Sequence, residues 1–335
     1  MRASGGLEWR AMRRIFINDY GRLRSGWRVL IFVLVLVAVL YLFANLLRVF
    51  YLAFAQYEPA IPHIDFIADV IFRLMLMLAA LGTGYTCARW LEGLPWRSLG
   101  LTFHHDWLRD LLVGFAIGFT TLAVAVGIAA AAGGLRFSLS GSAMTGAILR
   151  AFIGTTPLLF VAALAEEALF RGYALQTLSR ARLALLGLLL TSVPFASVHL
   201  SNPNVVPGVT FANTALAGIW LGAAYLRTRS LWFPLGVHWS WNWALGWFFG
   251  LPISGVNLVA HPLLKGNDLG PAWLTGGLYG IEGGVACTIV LILSTLFIWR
   301  MRLVSATPEL KKLTSEENPA LSGHVSEIHS ADETA

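Results

Sequence analysis

The chain has 335 residues, of which 57% are hydrophobic, 13% are charged and 13 are tryptophans. A soluble domain carries about 25% charged residues, and a soluble chain of this composition would expose large apolar patches. These values exclude an ordinary soluble protein and predict a polytopic membrane protein. The formal net charge of +6 does not indicate nucleic-acid binding, because the basic residues lie in short clusters between apolar stretches. We therefore expect the lipid bilayer, and no nucleic acid, as a partner.

Eight apolar stretches are long enough to be considered as membrane spans. A span needs about 20 mainly apolar residues, and polar or Gly/Pro-rich segments separate the candidates. The sequence therefore predicts an all-α fold with about eight transmembrane helices. The stretches cover approximately residues 29–47, 66–88, 111–132, 152–178, 183–200, 209–226, 231–249 and 275–299.

The distribution of Arg and Lys predicts the topology. With eight spans, the basic clusters before the first span and after the second, fourth, sixth and eighth spans fall on one side of the membrane. The connections on the opposite side carry few basic residues, among them Arg48, Arg136 and Lys265. Because cytoplasmic loops are enriched in Lys and Arg, both termini are predicted to be cytoplasmic.

The fourth apolar stretch contains three charged residues in the sequence LAEEALFRGYAL. A charge at bilayer depth costs about 3 kcal/mol or more, which makes each such residue a functional candidate. Glu167 and Arg171 are four residues apart on one helix face and can neutralise each other. Glu166 lies about 100° away around the helix, so it is free to face another group. The alternative is that the three residues lie at the cytoplasmic interface and anchor the helix.

Two later stretches each add a pair of polar candidates. The fifth contains FASVH, which places Phe195 one turn before His199 on the same face. The seventh contains HWSWN, in which His238 and Asn242 are four residues apart and point the same way. The alternative for His199 is a packing residue, and the alternative for the HWSWN segment is an aromatic belt at the membrane interface.

The depths of these groups indicate whether they can meet. Counted from the cytoplasmic helix ends at ~1.5 Å per residue, Glu166 lies ~21 Å deep and His199 ~24 Å deep. On the same count, His238 and Asn242 lie ~12 and ~18 Å deep. Three helices therefore present these side chains within one or two turns of the same level, provided that the fourth helix continues to about Leu178.

The residue types limit the chemistry of such a group. No Ser or Cys in it is an obvious nucleophile, and the chain has no HExxH motif, so a covalent acyl-enzyme is not indicated. A buried glutamate and a histidine that hold one water form a general base for hydrolysis, and a second histidine and an Asn amide suit an oxyanion. Glu166, His199 and His238 would alternatively suit Zn²⁺ with an open position for water. The spacing leaves both possibilities open.

The three patterns together resemble the CPBP intramembrane peptidases. This family groups the type II CAAX prenyl endopeptidases with ABI and bacteriocin-immunity proteins and with lysostaphin resistance protein A-like proteins. The patterns occur in the family's order on separate predicted helices, within residues 145–250. They are EExxxR at Glu166, Glu167 and Arg171, FxxxH at Phe195 and His199, and HxxxN at His238 and Asn242.

The resemblance implies a helical membrane fold with a catalytic cavity inside the helix bundle. It implies that Glu166 activates water with the assistance of His199. His238 and Asn242 would then stabilise the oxyanion, while Glu167 and Arg171 brace the motif helix. Members are commonly called metalloproteases, so Zn²⁺ is an implied cofactor. The implied reaction is endoproteolysis of a membrane-associated substrate, of which a prenylated CaaX protein is the eukaryotic form.

The resemblance also sets the predicted domain organisation and location. We expect a basic cytoplasmic segment at 1–28 and N-terminal transmembrane helices at 29–144. The peptidase core is expected at 145–250, followed by a loop and the last helix at 251–302. Residues 303–335 are predicted to form a polar, disordered tail. The resemblance and the lack of retention or transit signals indicate a bacterial plasma membrane.

Two other functions remain open at this level. One is a non-catalytic membrane protein in which the polar residues bind a partner or act in bacteriocin immunity. The other is a transporter, although no Gly/Pro-broken helix pair is visible in matching halves.

Outside the three patterns, Glu282 is interpreted as an interfacial cap of the last helix, with a second acidic site as the alternative. Asp69 and Arg73 are interpreted as an internal ion pair.

Overall fold

Long apolar helices dominate the computed structural model, which describes residues 15–19, 21–54, 64–141 and 144–315. Six of the described helices have the length and composition needed to cross a membrane. The chain is therefore an integral membrane protein with a nearly all-α fold, as predicted. These helices are α1 (Ser25–Phe54), α2 (Ile64–Glu92), α3 (Trp107–Ala131), α4 (Thr145–Arg180), α5 (Ala184–Val198) and α6 (Val209–Thr228).

The last two predicted spans form shorter helices. Helix α7 covers Trp232–Trp243 and continues as a π-helix over Ala244–Phe248, while α8 covers only Val285–Arg300. The eighth span was predicted to begin at Thr275, but the glycine-rich segment there forms short turns instead. Glycines in this segment adopt positive φ values, which an α-helix does not accommodate. These are Gly276, Gly277 and Gly280. Among the described residues, six helices thus meet the length and composition of a span, counting the 3₁₀ turn that extends α5 to Ser201, and α7 and α8 are shorter.

The structure contains a small two-stranded antiparallel sheet that was not predicted. Strand β1 (Leu135–Leu139) pairs antiparallel with β2 (Leu264–Asp268), so that Leu135 lies opposite Asp268. The sheet joins the segment after α3 to the long connection between α7 and α8. The two strands are far apart in the sequence and only five residues long, which leaves too little periodicity to detect.

Helices α3 and α7 are in backbone contact. A Cβ atom added to Gly236 of α7 would lie 2.1 Å from the carbonyl oxygen of Leu111, and one added to Gly118 of α3 would lie 2.2 Å from that of Val237. Small residues at a helix interface allow this close approach inside a membrane. The contact fixes the position of α7, which carries two of the candidate site residues.

Both ends of the described chain are more ordered than the sequence predicted. Helix α1 begins at Ser25, so Arg28 belongs to this helix rather than to a basic terminal segment, and it is buried. After α8, helix α9 (Pro308–Leu313) is capped by the Thr307 hydroxyl and buries Leu310. The first part of the predicted disordered tail is therefore folded. Residues 316–335 lie outside the described part of the chain.

Candidate active site

Helix α4 continues past its charged residues, as the assembly of a site requires. Glu166 and Glu167 are the last residues of its α-helical part, and a π-helical segment follows over Ala168–Leu175. An ordinary helical turn then carries the chain to Arg180. The two glutamates therefore lie in the middle of a 36-residue helix and not at its cytoplasmic end.

Glu167 and Arg171 form a fully buried ion pair. Arg171 Nη1 lies 3.0 Å from Glu167 Oε1, and both side chains have 0% exposure. Arg171 Nη2 also donates to the carbonyl oxygen of Gly218 in α6, at 3.1 Å. The guanidinium carbon lies 4.6 Å from the ring centroid of Phe195 in α5, a distance suited to a cation–π contact. Arg171 therefore joins three of the helices that surround the site.

His238 lies between the two glutamates. Its Nδ1 is 2.9 Å from Glu167 Oε1, and its Nε2 is 3.8 Å from Glu166 Oε2. Because an ionised carboxylate only accepts, the first contact places a proton on Nδ1 and directs Nε2 towards Glu166. The second distance is too long for a hydrogen bond. Glu166 Oε2 is buried and has no hydrogen-bond partner among the described residues.

His199 ends α5 and begins a short 3₁₀ turn. Its Nδ1 donates to the carbonyl oxygen of Phe195 at 2.6 Å, which leaves Nε2 as the nitrogen that can meet a ligand. The rings of Phe195 and His199 have centroids 4.7 Å apart. Within the described residues, no hydrogen bond or ion pair joins His199 to Glu166, so His238 is the histidine that contacts the glutamates.

Asn242 lies one helical turn after His238 in α7 and has no hydrogen-bond partner in the described part of the chain. Its amide is therefore available to a ligand. The π-helical segment of α7 begins two residues later, at Ala244. Both α4 and α7 thus change to π-helical geometry directly after their site residues, an arrangement that is common at functional sites.

The four polar candidates share one cavity of about 520 Å³ within the helix bundle. Glu166, His199, His238 and Asn242 all line it, together with apolar side chains from the surrounding helices. Glu167 and Arg171 lie behind this wall and contact it through His238 and Phe195. The structure thus brings the residues of all three sequence patterns into one network.

The same cavity is lined by a second carboxylate, that of Glu282, which was predicted to lie at the membrane interface. Glu282 was interpreted as a cap of the last helix, but it lines the cavity. Its Oε1 accepts from Trp241 Nε1 at 2.9 Å, and its Oε2 accepts from the backbone N and the hydroxyl of Ser254. The loop that carries Ser254 folds back over the cavity, a long-range arrangement that local sequence does not encode. Asn202, Asn213 and Thr214 also line the cavity and were missed.

Asp69 and Arg73 form the predicted ion pair on α2, with Arg73 Nε 2.8 Å from Asp69 Oδ2. The sequence did not indicate that Arg73 also lines the cavity. Helix α2 thus contributes a basic side chain to a space that the sequence patterns assigned to α4, α5 and α7.

The implied zinc ion does not find a ligand set in this geometry. Across the described residues, no three His, Cys, Asp or Glu side chains lie close enough together to hold a metal ion. Glu166, His199 and His238 therefore line one cavity without forming a metal-binding group.

Comparison with known proteins supports the family indicated by the three patterns. Residues 148–244 match the family described as type II CAAX prenyl endopeptidase Rce1-like. The matched segment contains all six candidate site residues, while Arg73 and Glu282 lie outside it. No curated protein and no solved structure matches the chain.

Proposed function

We propose that this chain, whose residues 148–244 belong to the Rce1-like group of the CPBP family, is an intramembrane endopeptidase. It hydrolyses a peptide bond of a membrane-associated substrate with water activated by Glu166 and a histidine. The observation that carries the proposal is the free oxygen of Glu166, buried in a cavity that also presents His199, His238 and Asn242. A carboxylate without a partner in a low-dielectric site is a base available to a water molecule.

Glu166 is the general base in the proposed reaction. A water held between Glu166 and the free Nε2 of His199 attacks the carbonyl carbon of the scissile bond, and Glu166 takes its proton. The C–N bond then breaks, and Glu166 returns the proton to the leaving amine. Protons balance over the cycle, and no covalent enzyme intermediate forms.

His238 and Asn242 bind the oxyanion in the proposed tetrahedral intermediate. The amide of Asn242 supplies one N–H donor, and Nε2 of His238 supplies a second when the imidazole is protonated. Glu167 holds the orientation of this imidazole because its carboxylate accepts from Nδ1 at 2.9 Å. Glu167 and Arg171 are therefore positioning residues that hold His238 from behind.

The cavity walls fit a substrate with an apolar part. Apolar side chains, among which leucine, phenylalanine and tryptophan are the largest, make up most of the cavity lining, as is typical of sites that bind largely apolar ligands. A lipid-bearing or hydrophobic peptide is the substrate class that we propose, and a prenylated CaaX-type peptide belongs to it. The proposed location is the bacterial plasma membrane, with both termini in the cytoplasm.

Peptide cleavage by detergent-purified protein tests this function. Lipidated and unlipidated peptide pools are incubated with the wild type, Glu166→Gln and His199→Gln, and products are identified by mass spectrometry. General-base catalysis contributes about 10²- to 10⁴-fold, so both variants should lose cleavage by that order. Matched controls are Glu309→Gln and His105→Gln, which change exposed side chains outside the cavity.

Retention of full cleavage by Glu166→Gln would falsify the proposed mechanism. A zinc chelator is expected to leave the wild-type rate unchanged. Loss of activity that added Zn²⁺ restores would instead assign water activation to a metal. If correctly folded wild-type protein cuts no peptide, the non-catalytic, partner-binding function becomes the better description.

A further inference from the structure

The cavity contains one guanidinium group that the proposed hydrolysis does not use. Glu166 and Glu282 line the cavity together with His199 and His238, and Arg73 is the one Lys or Arg among its described lining residues. Arg73 is contributed by α2, outside the segment that matches the family.

The guanidinium of Arg73 is only partly satisfied. Its Nε donates to Asp69 Oδ2 at 2.8 Å, and the Arg73 side chain is 31% exposed. Within the described residues, no acceptor lies within hydrogen-bonding distance of Nη1 or Nη2. An Arg side chain has five N–H donors in a fixed planar fork. Asp69 occupies one, which leaves the two terminal nitrogens for another acceptor.

Arg73 lies inside α2 rather than at either end of the helix. Nine residues precede it in the helix and nineteen follow, which correspond to about 13 Å and about 28 Å of helix at 1.5 Å per residue. A cation at such a depth is costly unless it faces protein or a water-filled cavity. An acceptor for Arg73 is therefore more readily supplied inside the cavity than by a phosphate at the membrane surface.

We propose that Arg73 is a specificity-determining residue that binds a carboxylate of the peptide substrate in this cavity. The inference rests on the proposed peptidase function and adds a chemical feature to its substrate. Two parallel N–H groups match the two oxygens of a carboxylate, and such charge-assisted pairs are strong and directional. The carboxylate comes from the free C-terminus of the peptide or from an acidic side chain.

The surroundings of Arg73 further define the preferred substrate. Phe72 and Leu76 of α2 and Leu40 of α1 line the same part of the cavity. A carboxylate bound at Arg73 therefore lies next to an apolar surface. The best substrate should carry its carboxylate beside a hydrophobic side chain.

Paired peptides test this inference. One hydrophobic peptide that the wild type cuts is prepared with a C-terminal carboxylate or carboxamide, and each form is made with an internal Glu or Gln. In one of the two pairs, acid against amide or Glu against Gln, we expect the wild type to prefer the carboxylate-bearing peptide by at least about tenfold in kcat/KM. The preference should come mainly from a lower KM. In Arg73→Gln the ratio between the two members should fall to near one, while Arg73→Lys should keep part of it. Arg150→Gln, on an exposed position of α4, is the control that should keep the full ratio.

A second pair of measurements keeps the test independent of folding and of turnover. The double variant Asp69→Asn/Arg73→Gln removes both charges and avoids an unpaired carboxylate if the single variant misfolds. Binding of the acid and amide peptides to Glu166→Gln protein measures recognition without cleavage. It is followed by intrinsic tryptophan fluorescence, to which the cavity residues Trp220 and Trp241 contribute. Equal binding of the two peptides, or an undiminished preference in a folded Arg73 variant, overturns the role of Arg73. Failure of the peptidase function would give a different result: the wild type would bind the acid peptide selectively but would cleave neither peptide.

Discussion

Two buried ionic clusters in this membrane protein differ in what surrounds them. The cavity cluster consists of Glu166, Glu167, Arg171 and His238, and it borders the cavity described above. A second group, here called the closed cluster, consists of Arg28 of α1, Glu92 of α2 and Arg180 of α4. Its charged side chains are at most 1% exposed, and none of them lines that cavity.

The carboxylates in the two clusters are satisfied to different extents. Glu92 Oε2 pairs with Arg28 Nη1 at 2.6 Å and with Arg180 Nη2, and Glu92 Oε1 accepts from the Thr177 hydroxyl at 2.9 Å. Both of its oxygens are therefore occupied, whereas Glu166 Oε2 has no hydrogen-bond partner among the described residues and lies 3.8 Å from His238 Nε2. A buried charge in a membrane helix thus indicates function only where it keeps a free acceptor beside a space that a ligand can enter. Elsewhere it fastens helices together.

The largest expected effect is on stability, from Glu92→Ala in the closed cluster. The substitution removes the carboxylate that two buried arginines share, and breaking a buried ion pair in this way costs about 3–5 kcal/mol. The free energy of unfolding in mixed detergent micelles should fall by that amount. Glu309→Ala removes an exposed pair with Arg97 and should cost about 1 kcal/mol or less. Equal effects in the two variants would show that the closed cluster does not fasten the helices.

The cavity cluster should respond in activity instead. Asn242→Ala removes one proposed oxyanion donor, and such a loss lowers kcat by about 10²- to 10³-fold. Because the Asn242 side chain makes no hydrogen bond within the described chain, the thermal midpoint should change little. Steady-state cleavage and thermal unfolding of the same preparation give both values. A folded variant with wild-type kcat would remove Asn242 from the proposed oxyanion site.

A smaller effect is expected from Phe195→Leu, because the Phe195 ring contacts both Arg171 of the cavity cluster and His199. The variant loses the ring beneath the Arg171 guanidinium, and a desolvated cation–π contact is worth about 2 kcal/mol. His199 loses its neighbouring ring as well, so kcat/KM should fall together with stability. Phe297→Leu, at a half-exposed position of α8, should change neither quantity by more than about 0.5 kcal/mol. Loss of stability with unchanged kcat/KM would separate Phe195 from the site.

The smallest predicted effect concerns pH and a buried histidine far from the cavity. His104, in the connection between α2 and α3, is 6% exposed and lies 3.3 Å from the Ser230 hydroxyl. Burial lowers the pKa of His104 below its usual value, and the nearby Asp106 and Glu309 only partly offset this. The unfolded chain therefore binds the proton more readily.

The sign of the effect follows from that difference. Stability from His104 is fully present above its unfolded pKa of about 6.5 and decreases as the pH falls from there towards the lower folded pKa. The difference in the free energy of unfolding between the wild type and His104→Gln, measured from pH 8 to pH 5, should show this loss. The difference is the quantity to measure because other groups, among them Asp110 at 3.4 Å from His104, are present in both proteins. A steeper loss in the variant would contradict the assignment.

Much of this arrangement could be predicted from local sequence. The positions of α1 to α6 follow from apolar length, and the three polar patterns predicted residues that do share a cavity, because i,i+4 spacing on a helix determines which face a side chain occupies. Glu282 and Arg73 were assigned only as a helix cap and an ion pair. Their places at the cavity depend on a loop that folds back and on packing of α2, and neither is encoded in the residues next to them.

The partner of Glu166 could not be predicted for a related reason. The family resemblance implied that His199 would assist it, whereas His238 is the histidine that lies between Glu166 and Glu167. That choice depends on the rotation of α7, which is set by its backbone contact with α3 at Gly114, Gly118 and Gly236. Glycines in a membrane helix signal close packing, but they do not identify the partner helix.

The π-helical segment of α4 allows the two halves of that helix to keep their own partners. Its wider turn over Ala168–Leu175 accommodates one residue more than an α-helical path would. Deleting one residue there, for example Gly172, would restore the narrower turn and leave the two halves in nearly the same rotational register. The same deletion in an ordinary α-helical stretch of α4 would rotate one half by about 100° relative to the other. The wide turn is therefore the place in α4 where a change of length by one residue would least disturb both the pairing of Arg180 with Glu92 and the approach of Glu166 to His238.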